Sequence, residues 1–214
     1  MPVKRQASKE WVDGFLFVGN QLALDFLNTR PILSEGPKEL LVNADALVRW
    51  LIASGVLTSQ KAKSLGRKWN GTPKAEAFLK DLLAFRERLR AAVLRQEAGS
   101  PVSDAFAAEV NSLLEQHPSV YALRRKGEKL HREIIFEPQV PDDVWAPIAM
   151  VVAELLCDVP AARVRKCESC IVHYHDTSKK GSRRWCSMNI CGNKVKVAAY
   201  QRRNGAAEER DREM

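Results

Sequence analysis

The sequence lacks the features that mark membrane, secreted and many enzymatic proteins. No run of eighteen apolar residues occurs, so we expect no membrane-spanning helix. Lys4, Arg5 and Lys9 are not followed by a long apolar stretch, so we expect no secretory signal and assign the chain to the cytoplasm. The sequence has no P-loop, G-x-G-x-x-G, nucleophile elbow or H-E-x-x-H motif, so we expect a protein that is not an enzyme.

Internal repeats, low-complexity segments and heptads are also missing, so the sequence predicts neither a repeat protein nor a coiled coil. The 214 residues are 45% hydrophobic. That content suffices for one sizeable core with a small appendage, or for two modest domains.

Cysteine is scarce, but four of the five cysteines lie close together near the C-terminus. Cys167 and Cys170 are spaced C-x2-C, Cys186 and Cys191 are spaced C-x4-C, and fifteen residues separate the two pairs. Paired cysteines at such spacings are typical of a structural zinc site. Four thiolates leave no open coordination position, so we predict one structural Zn²⁺ rather than a catalytic ion.

Other roles for these cysteines stay open at this point. Disulfides are disfavoured in an intracellular protein, whereas an iron–sulfur cluster accepts the same four thiolates. His173 and His175 lie between the pairs and compete as ligands, although we expect them to belong to a finger hairpin. Cys157 stands alone, and we expect it to be a small buried apolar residue.

Positive charge is concentrated around the same cysteines. The net charge is +8, and the segment from Ala161 to Asn204 holds eleven Lys or Arg against Glu168 and Asp176. A cationic segment attracts phosphates, so we predict a nucleic-acid contact surface, with a solvated face as the alternative. The predicted contacts are Lys179, Lys180, Arg183, Arg184, Asn193, Lys194, Lys196, Arg202 and Arg203. Trp185 is expected to pack beside the metal rather than to stack on a base.

The region before the cysteines has the apolar periodicity of a mainly helical domain. Asn43, Thr58 and Ser103 are suited to cap helices, and Pro73 to begin one. The sequence predicts helices over 21–29, 44–53, 58–69, 73 to about 98, 104–116 and 141–157, with a β-hairpin over 120–136 around Lys126-Gly127-Glu128.

The cysteine segment itself is predicted to contain a zinc knuckle, then a short hairpin, and then a helix. Lys179–Ser182 is the predicted hairpin turn, and a helix is predicted from the second cysteine pair to Arg203. The fold class is therefore α+β: a mostly helical N-terminal domain with a small antiparallel β-hairpin, followed by a treble-clef-like C-terminal zinc finger. The predicted boundaries are a flexible N-terminus over 1–13, the helical domain over 14–160, the finger over 161–204 and a disordered tail over 205–214.

Several motifs together resemble a known family. The two cysteine pairs, the run Arg183-Arg184-Trp185-Cys186-Ser187-Met188 and the sequence Cys191-Gly192-Asn193-Lys194 resemble the CGNR zinc finger. Leu24-Asp25-Phe26-Leu27-Asn28-Thr29 resembles the opening of the ABATE domain that precedes this finger in bacterial proteins. Lys194 stands where the family motif has arginine, which keeps the charge but loses the planar guanidinium fork.

The resemblance implies a bacterial transcription regulator linked to stress, with the finger contacting DNA and the helical domain sensing a ligand or dimerising. We expect DNA as the partner, with a small-molecule effector and a homodimer as further candidates. The alternative is a zinc-stabilised module that binds RNA or protein without sequence-specific DNA recognition. Asp25 and Asn28 are one helical turn apart and are the candidate residues of a ligand pocket, although such residues more often brace a neighbouring element.

Overall fold

The computed structural model describes residues 10–33, 36–170, 172–198 and 200–201. Helices dominate, and each sheet has two antiparallel strands, so the α+β fold class is confirmed. The helices are α1 (Leu22–Leu27), α2 (Ala44–Ala53), α3 (Ser59–Trp69), α4 (Pro73–Glu97), α5 (Asp104–Gln116) and α6 (Trp145–Asp158). The strands are β1 (Trp11–Val12), β2 (Phe15–Leu16), β3 (Ile32–Leu33), β4 (Gly36–Pro37), β5 (Val120–Lys126), β6 (Lys129–Ile135), β7 (Val164–Lys166) and β8 (His173–His175).

The helix starts follow from local capping. The side chains of Asn43, Thr72 and Ser103 accept hydrogen bonds from backbone N–H groups in the first turns of α2, α4 and α5. These bonds satisfy donors that a helix start otherwise leaves without partners. Pro73 occupies the first turn of α4, where its missing N–H costs nothing. The predicted starts of these three helices are confirmed.

Helix α4 runs through the main core. Its side chains Leu82, Phe85 and Leu89 are fully buried, and the helix contacts α1, α2 and α5. Trp145 at the start of α6 packs edge-on against Phe85, with ring centroids 5.3 Å apart. The burial of these large apolar side chains is the main favourable contribution to folding.

An ionic cluster inside this core ties α4 to the end of α1. The guanidinium of Arg86 is only 1% exposed and donates to Glu39 at 2.9 and 2.5 Å and to the hydroxyl of Thr29 at 2.7 Å. Arg90 donates to the carbonyl of Leu27 at 2.9 Å. Burial acts to raise the pKa of Glu39, but its hydrogen bonds with Arg86 prevail and the pKa is lowered. The end of α1 is therefore fixed by charged hydrogen bonds as well as by packing.

Two sequence expectations need correction here. Cys157 was expected to be buried, but it is exposed, because it lies near the end of α6 beyond the core-facing residues of that helix. The last predicted helix of the body is also divided: Pro141–Val144 forms a 3₁₀ turn, and α6 proper begins at Trp145. The hairpin predicted around Gly127 is present as β5 and β6, with Lys126 opposite Lys129. None of the described helices is long and apolar enough to span a membrane.

Candidate metal centre and the surface around it

The four predicted cysteines meet at one point. All four sulfur atoms lie within 4.8 Å of one another. Cys170 Sγ is 3.5 Å from Cys186 Sγ, which in turn is 3.6 Å from Cys191 Sγ. A tetrahedral ion with Zn–S bonds of about 2.3 Å holds its sulfurs about 3.8 Å apart. The cysteines therefore fit one four-coordinate ion, whereas a disulfide needs sulfurs about 2.05 Å apart.

The electrostatics of the cysteine cluster also favour a cation. Hydrogen bonds from Cys170 and Cys186 hold the pKa of Cys167 far below its usual range. The hydrogen bond with Cys167 raises the pKa of Cys170 to about 12, and hydrogen bonds to both neighbours together with burial raise that of Cys186 strongly. The thiolate of Cys167 is thus stabilised at the expense of those of Cys170 and Cys186. A divalent ion removes this conflict because its charge stabilises all four thiolates together.

Short local structures bring each pair of cysteines to the centre. Cys167 and Cys170 lie in the loop between β7 and β8, where the Cys167 N–H donates to Val172 O at 2.8 Å. Cys191 belongs to a π-helical turn, Met188–Gly192. The Ser187 hydroxyl caps that turn by accepting from the N–H groups of Asn189 and Ile190. His173 and His175 form part of β8 and do not belong to the sulfur cluster.

The hairpin turn predicted at Lys179–Ser182 is wrong. The finger hairpin pairs β7 with β8 around the first cysteine pair, and residues 176–184 form a loop without strands. Several backbone groups of this loop form hydrogen bonds with side chains. The Asp176 carboxylate accepts from the N–H groups of Ser178 and Arg183, while Arg163 and Arg165 donate to the carbonyls of Ser178 and Gly181.

Asp176 is the centre of that loop and was not among the predicted site residues. It is almost fully buried. Burial acts to raise its pKa, but the hydrogen bonds from Ser178 and the N–H of Arg183 outweigh it and lower the pKa to about 2. Its position in the sequence, directly after an expected strand and two residues before a serine, was the signal for a side-chain turn.

The finger is attached to the helical body by a second small core. Leu16 and Val18 pack with Val172, Tyr174 and the cysteines. These two residues come from the segment before α1, so the chain that opens the body also covers the metal centre. Ser187, the cap of the π-helical turn, donates from its hydroxyl to Glu10.

Hydrogen bonds attach the outer edge of β8 to the body. The Asn28 side-chain amide donates to His173 O at 2.7 Å, and its carbonyl oxygen accepts from His173 N at 3.1 Å. The N–H of His175 donates to Gly19 O at 2.7 Å, and its carbonyl accepts from the Asn20 amide. Asn28 and residues 19–20 therefore bond to the backbone groups of β8 that a third strand of the sheet would otherwise pair with.

Comparison with known families agrees with this architecture. Residues 20–159 match the ABATE family, described as "Putative stress-induced transcription regulator". The chain belongs to the ABATE family. Residues 163–204 match the CGNR zinc finger, so the four-cysteine cluster of this ABATE protein is a site for one structural zinc. A search of curated proteins found no match.

The predicted contact residues of this ABATE protein occupy different environments. Lys179, Lys180, Asn193, Lys194 and Lys196 are exposed. Among the described residues, none of the four lysines forms an ion pair. Residues 193–198 and 200–201 are helical, as predicted. Arg202 and Arg203 lie outside the described residues.

The two predicted arginines are held by neighbours. Arg184 donates from Nε and Nη2 to Glu168, with Nε 2.8 Å from Oε2, and lies over the ring of Trp185. The guanidinium of Arg183 lies 4.6 Å from the ring centroid of Tyr174 and donates to Trp185 O. Trp185 itself packs against the metal core, as expected. Both arginines thus contribute to the loop structure, and their role in binding stays a prediction.

The candidate ligand residues Asp25 and Asn28 are engaged inside the ABATE protein. Both are almost fully buried. Asp25 Oδ1 accepts from Gly19 N at 2.8 Å, and Asn28 bonds to the backbone of β8 as described. An added Cβ at Gly19 would lie 2.8 Å from Asp25 N, so this close approach requires glycine. These contacts position the finger on the body, and ligand binding by the pair remains a prediction.

Proposed function

We propose that this protein is a zinc-dependent, DNA-binding transcription regulator of the bacterial cytoplasm, and that it acts without catalysis. In this proposal the finger contacts duplex DNA. The helical body senses an effector or forms a homodimer and sets the position of the finger through the contacts of β8 with Asn28.

The observation that supports this proposal is that some basic side chains of the finger are bound to protein groups, whereas others are exposed to solvent. Arg163, Arg165 and Arg184 are bound to carbonyl or carboxylate groups within the finger. Four lysines are instead exposed and, among described residues, have no ion pair. They are Lys179 and Lys180 in the loop, and Lys194 and Lys196 on the terminal helix, which comprises the helical residues 193–198 and 200–201. Lysines left solvated on a metal-held scaffold are available to phosphates, and binding them releases counterions.

The terminal helix offers groups that suit a groove. Asn193 and Lys194 lie at its exposed start, and Val197 and Tyr200 are exposed one and two turns later. The first residues of a helix are those that reach base edges when it enters the major groove, and an asparagine amide is able to pair with adenine. Lys194, in place of the arginine of the family motif, suits a phosphate contact better than bidentate reading of guanine.

The experiment compares binding of the zinc-loaded protein to a labelled mixed-sequence duplex at several salt concentrations. The double variant Lys179→Gln/Lys180→Gln is compared with Arg67→Gln/Lys68→Gln, which removes the same charge from exposed positions on α3. We expect the finger variant to reduce the slope of log K against log salt by about 2, at about 0.9 per lost phosphate contact, and the α3 variant to change it little. Equal slopes for both variants and the wild type would refute the assigned surface.

A competition experiment separates DNA binding from the alternative of an RNA- or protein-binding module. Unlabelled duplex DNA, duplex RNA and polyglutamate are each added to the labelled complex. Selection from a random duplex pool then tests sequence preference. Displacement by DNA with enrichment of one sequence supports the regulator. Stronger displacement by RNA or by polyglutamate, or binding to neither nucleic acid, supports the alternative.

A further inference from the structure

The β5–β6 hairpin is a second basic surface, separate from the finger. Across residues 120–135 every side chain is exposed except those of Ala122 and Ile134. Among the described residues, the hairpin is held to the body near its base, where the Tyr121 hydroxyl donates to Met150 Sδ and Ile134 packs against the main core. Beyond that base, five residue pairs continue to the turn at Gly127, whose φ of +61° favours glycine. An unsupported two-stranded ribbon of this kind gains little stability in water, which points to a role in binding.

Its charge differs from that of the rest of the body. Residues 120–135 carry five basic and two acidic side chains, a net charge of +3. The other residues between 1 and 160 carry 16 basic and 18 acidic side chains, a net charge of −2. The hairpin is therefore a basic part of the body, as are residues 59–69, which carry four basic and no acidic side chains. One face of the hairpin holds most of its charge: Arg124 lies opposite His131, and Lys126 lies opposite Lys129.

The opposite face combines arginine with exposed leucine. Leu123 is paired across the strands with Arg132, and Arg125 with Leu130. Leu123 and Leu130 are 71% and 56% exposed. Apolar side chains beside basic ones are the combination that minor-groove proteins place against base steps and groove walls. A two-stranded ribbon also has the width that the major groove admits, about 12 Å.

Charge distinguishes between a second copy of this chain and a polyanion as the occupant. The strand edges are open, but pairing two copies would bring lysine and arginine of both hairpins together, and such residues on edge strands oppose pairing. Among described residues, the one carboxylate within ion-pair distance of these basic groups is Glu133, 3.6 Å from Arg124. The remaining charges stay available to phosphates, whose binding releases counterions.

We propose that the β5–β6 hairpin is a second DNA-contacting element, an arm that binds the duplex engaged by the finger. The proposal rests on the proposed function, because the finger supplies the primary contact. The basic face of the arm adds about three phosphate contacts through Arg124, Lys126 and Lys129, with Arg124 exchanging its exposed partner Glu133 for a phosphate.

The test uses the full zinc-loaded chain and a labelled mixed-sequence duplex of about 30 base pairs, titrated between about 50 and 200 mM salt. The arm variant is Arg124→Gln/Lys126→Gln/Lys129→Gln. The matched control is Arg67→Gln/Lys68→Gln/Lys80→Gln, which removes equal charge from exposed positions on α3 and α4. We expect the arm variant to reduce the slope of log K against log salt by about 3, and the control to reduce it by less than about 1. Circular dichroism checks that each variant is folded.

The other outcomes overturn the proposal. If the arm variant leaves the salt slope unchanged while Lys179→Gln/Lys180→Gln reduces it, the hairpin does not contact DNA and the finger alone is the DNA surface. An equal loss in arm and control variants means that the effect is only one of net charge. Loss of polyglutamate binding in the arm variant, with duplex binding intact, assigns the hairpin to an acidic protein partner. A wild-type protein that binds no duplex refutes both proposals.

Discussion

Replacement of Asn28 by alanine tests whether the body holds the finger. The Asn28 amide makes two hydrogen bonds to the backbone of His173, at 2.7 and 3.1 Å, between residues that are 2% and 3% exposed. Alanine leaves a buried N–H and a buried carbonyl without these partners. Each orphaned group costs about 1–3 kcal/mol, so we expect Asn28→Ala to lower the free energy of unfolding by about 3 kcal/mol. For a chain of this size that corresponds to a Tm lower by about 6–12 °C.

The matched control is Asn20→Gly. Asn20 also donates to β8, at 3.0 Å to His175 O, but its bond is exposed. Glycine removes that bond and tolerates the φ of +55° found at Asn20, so no backbone strain is added. We expect this variant to cost less than about 1 kcal/mol, because water replaces the lost partner.

Two measurements are made on both variants with zinc present. Urea unfolding gives the stability, and transfer of zinc to a coloured chelator gives its release rate. We expect faster zinc release from Asn28→Ala, because the strand that leads from the first cysteine pair loses its brace. If Asn28→Ala matched Asn20→Gly in both measurements, the finger would not depend on the body and the reasoning would be refuted.

Three further predictions follow from the buried groups. Cys186→Ser should abolish the binding of about one zinc per chain and increase hydrogen exchange at residues 15–28, which cover the finger, whereas Cys157→Ser, an exposed cysteine outside the cluster, should change neither quantity. Glu39→Gln should cost about 2–3 kcal/mol by urea unfolding, because it removes the carboxylate that accepts two hydrogen bonds from the buried Arg86 and leaves Glu87, 3.3 Å from Arg86 Nε, as its remaining carboxylate. Glu168→Gln, which breaks the exposed pair with Arg184, should cost much less, and similar losses would contradict this. His173 lies in β8 with Nε2 3.5 Å from Glu97, and burial lowers its pKa, so the unfolded chain binds more protons at this residue than the folded protein does. The free energy of unfolding should therefore be highest above about pH 6.5 and fall as the pH drops below it. If the free energy of unfolding of the wild type fell no more steeply with pH than that of His173→Gln, this prediction would be ruled out.

Charged groups from several structural elements affect the pKa of His173. Glu97 acts to raise the His173 pKa, whereas Arg90 and Lys166 act to lower it. Burial is the largest cause, and the pKa of His175 is lowered by burial as well. The two histidines therefore act in the same direction, and both oppose docking of the finger in acid.

Local patterns in the sequence were sufficient to predict the metal ligands and most helices. Ligand spacing depends on covalent geometry, and the caps at Asn43, Thr72 and Ser103 depend on neighbours within three residues. The β5–β6 hairpin was predictable because the two strands are joined by a two-residue turn with glycine in the left-handed region.

The position of the finger strands was not predictable in this way. Lys179–Ser182 has the composition of a hairpin turn, but Asp176 and the arginines from β7 and the preceding turn supply the hydrogen bonds that strands would otherwise exchange. The exposure of Cys157 likewise depends on which side of α6 meets the core, and periodicity alone does not fix where that contact ends.

The sequence by itself determined that four cysteines have the spacing of a metal site and that the segment around them is cationic. Only the tertiary structure decided which basic side chains stay solvated, because Arg163, Arg165 and Arg184 have partners distant in sequence, whereas Lys179 and Lys180 remain exposed. It also decided that Asn28 braces β8 across 145 residues of chain. Such a bond depends on how separate elements pack, and local pattern carries no information about that packing.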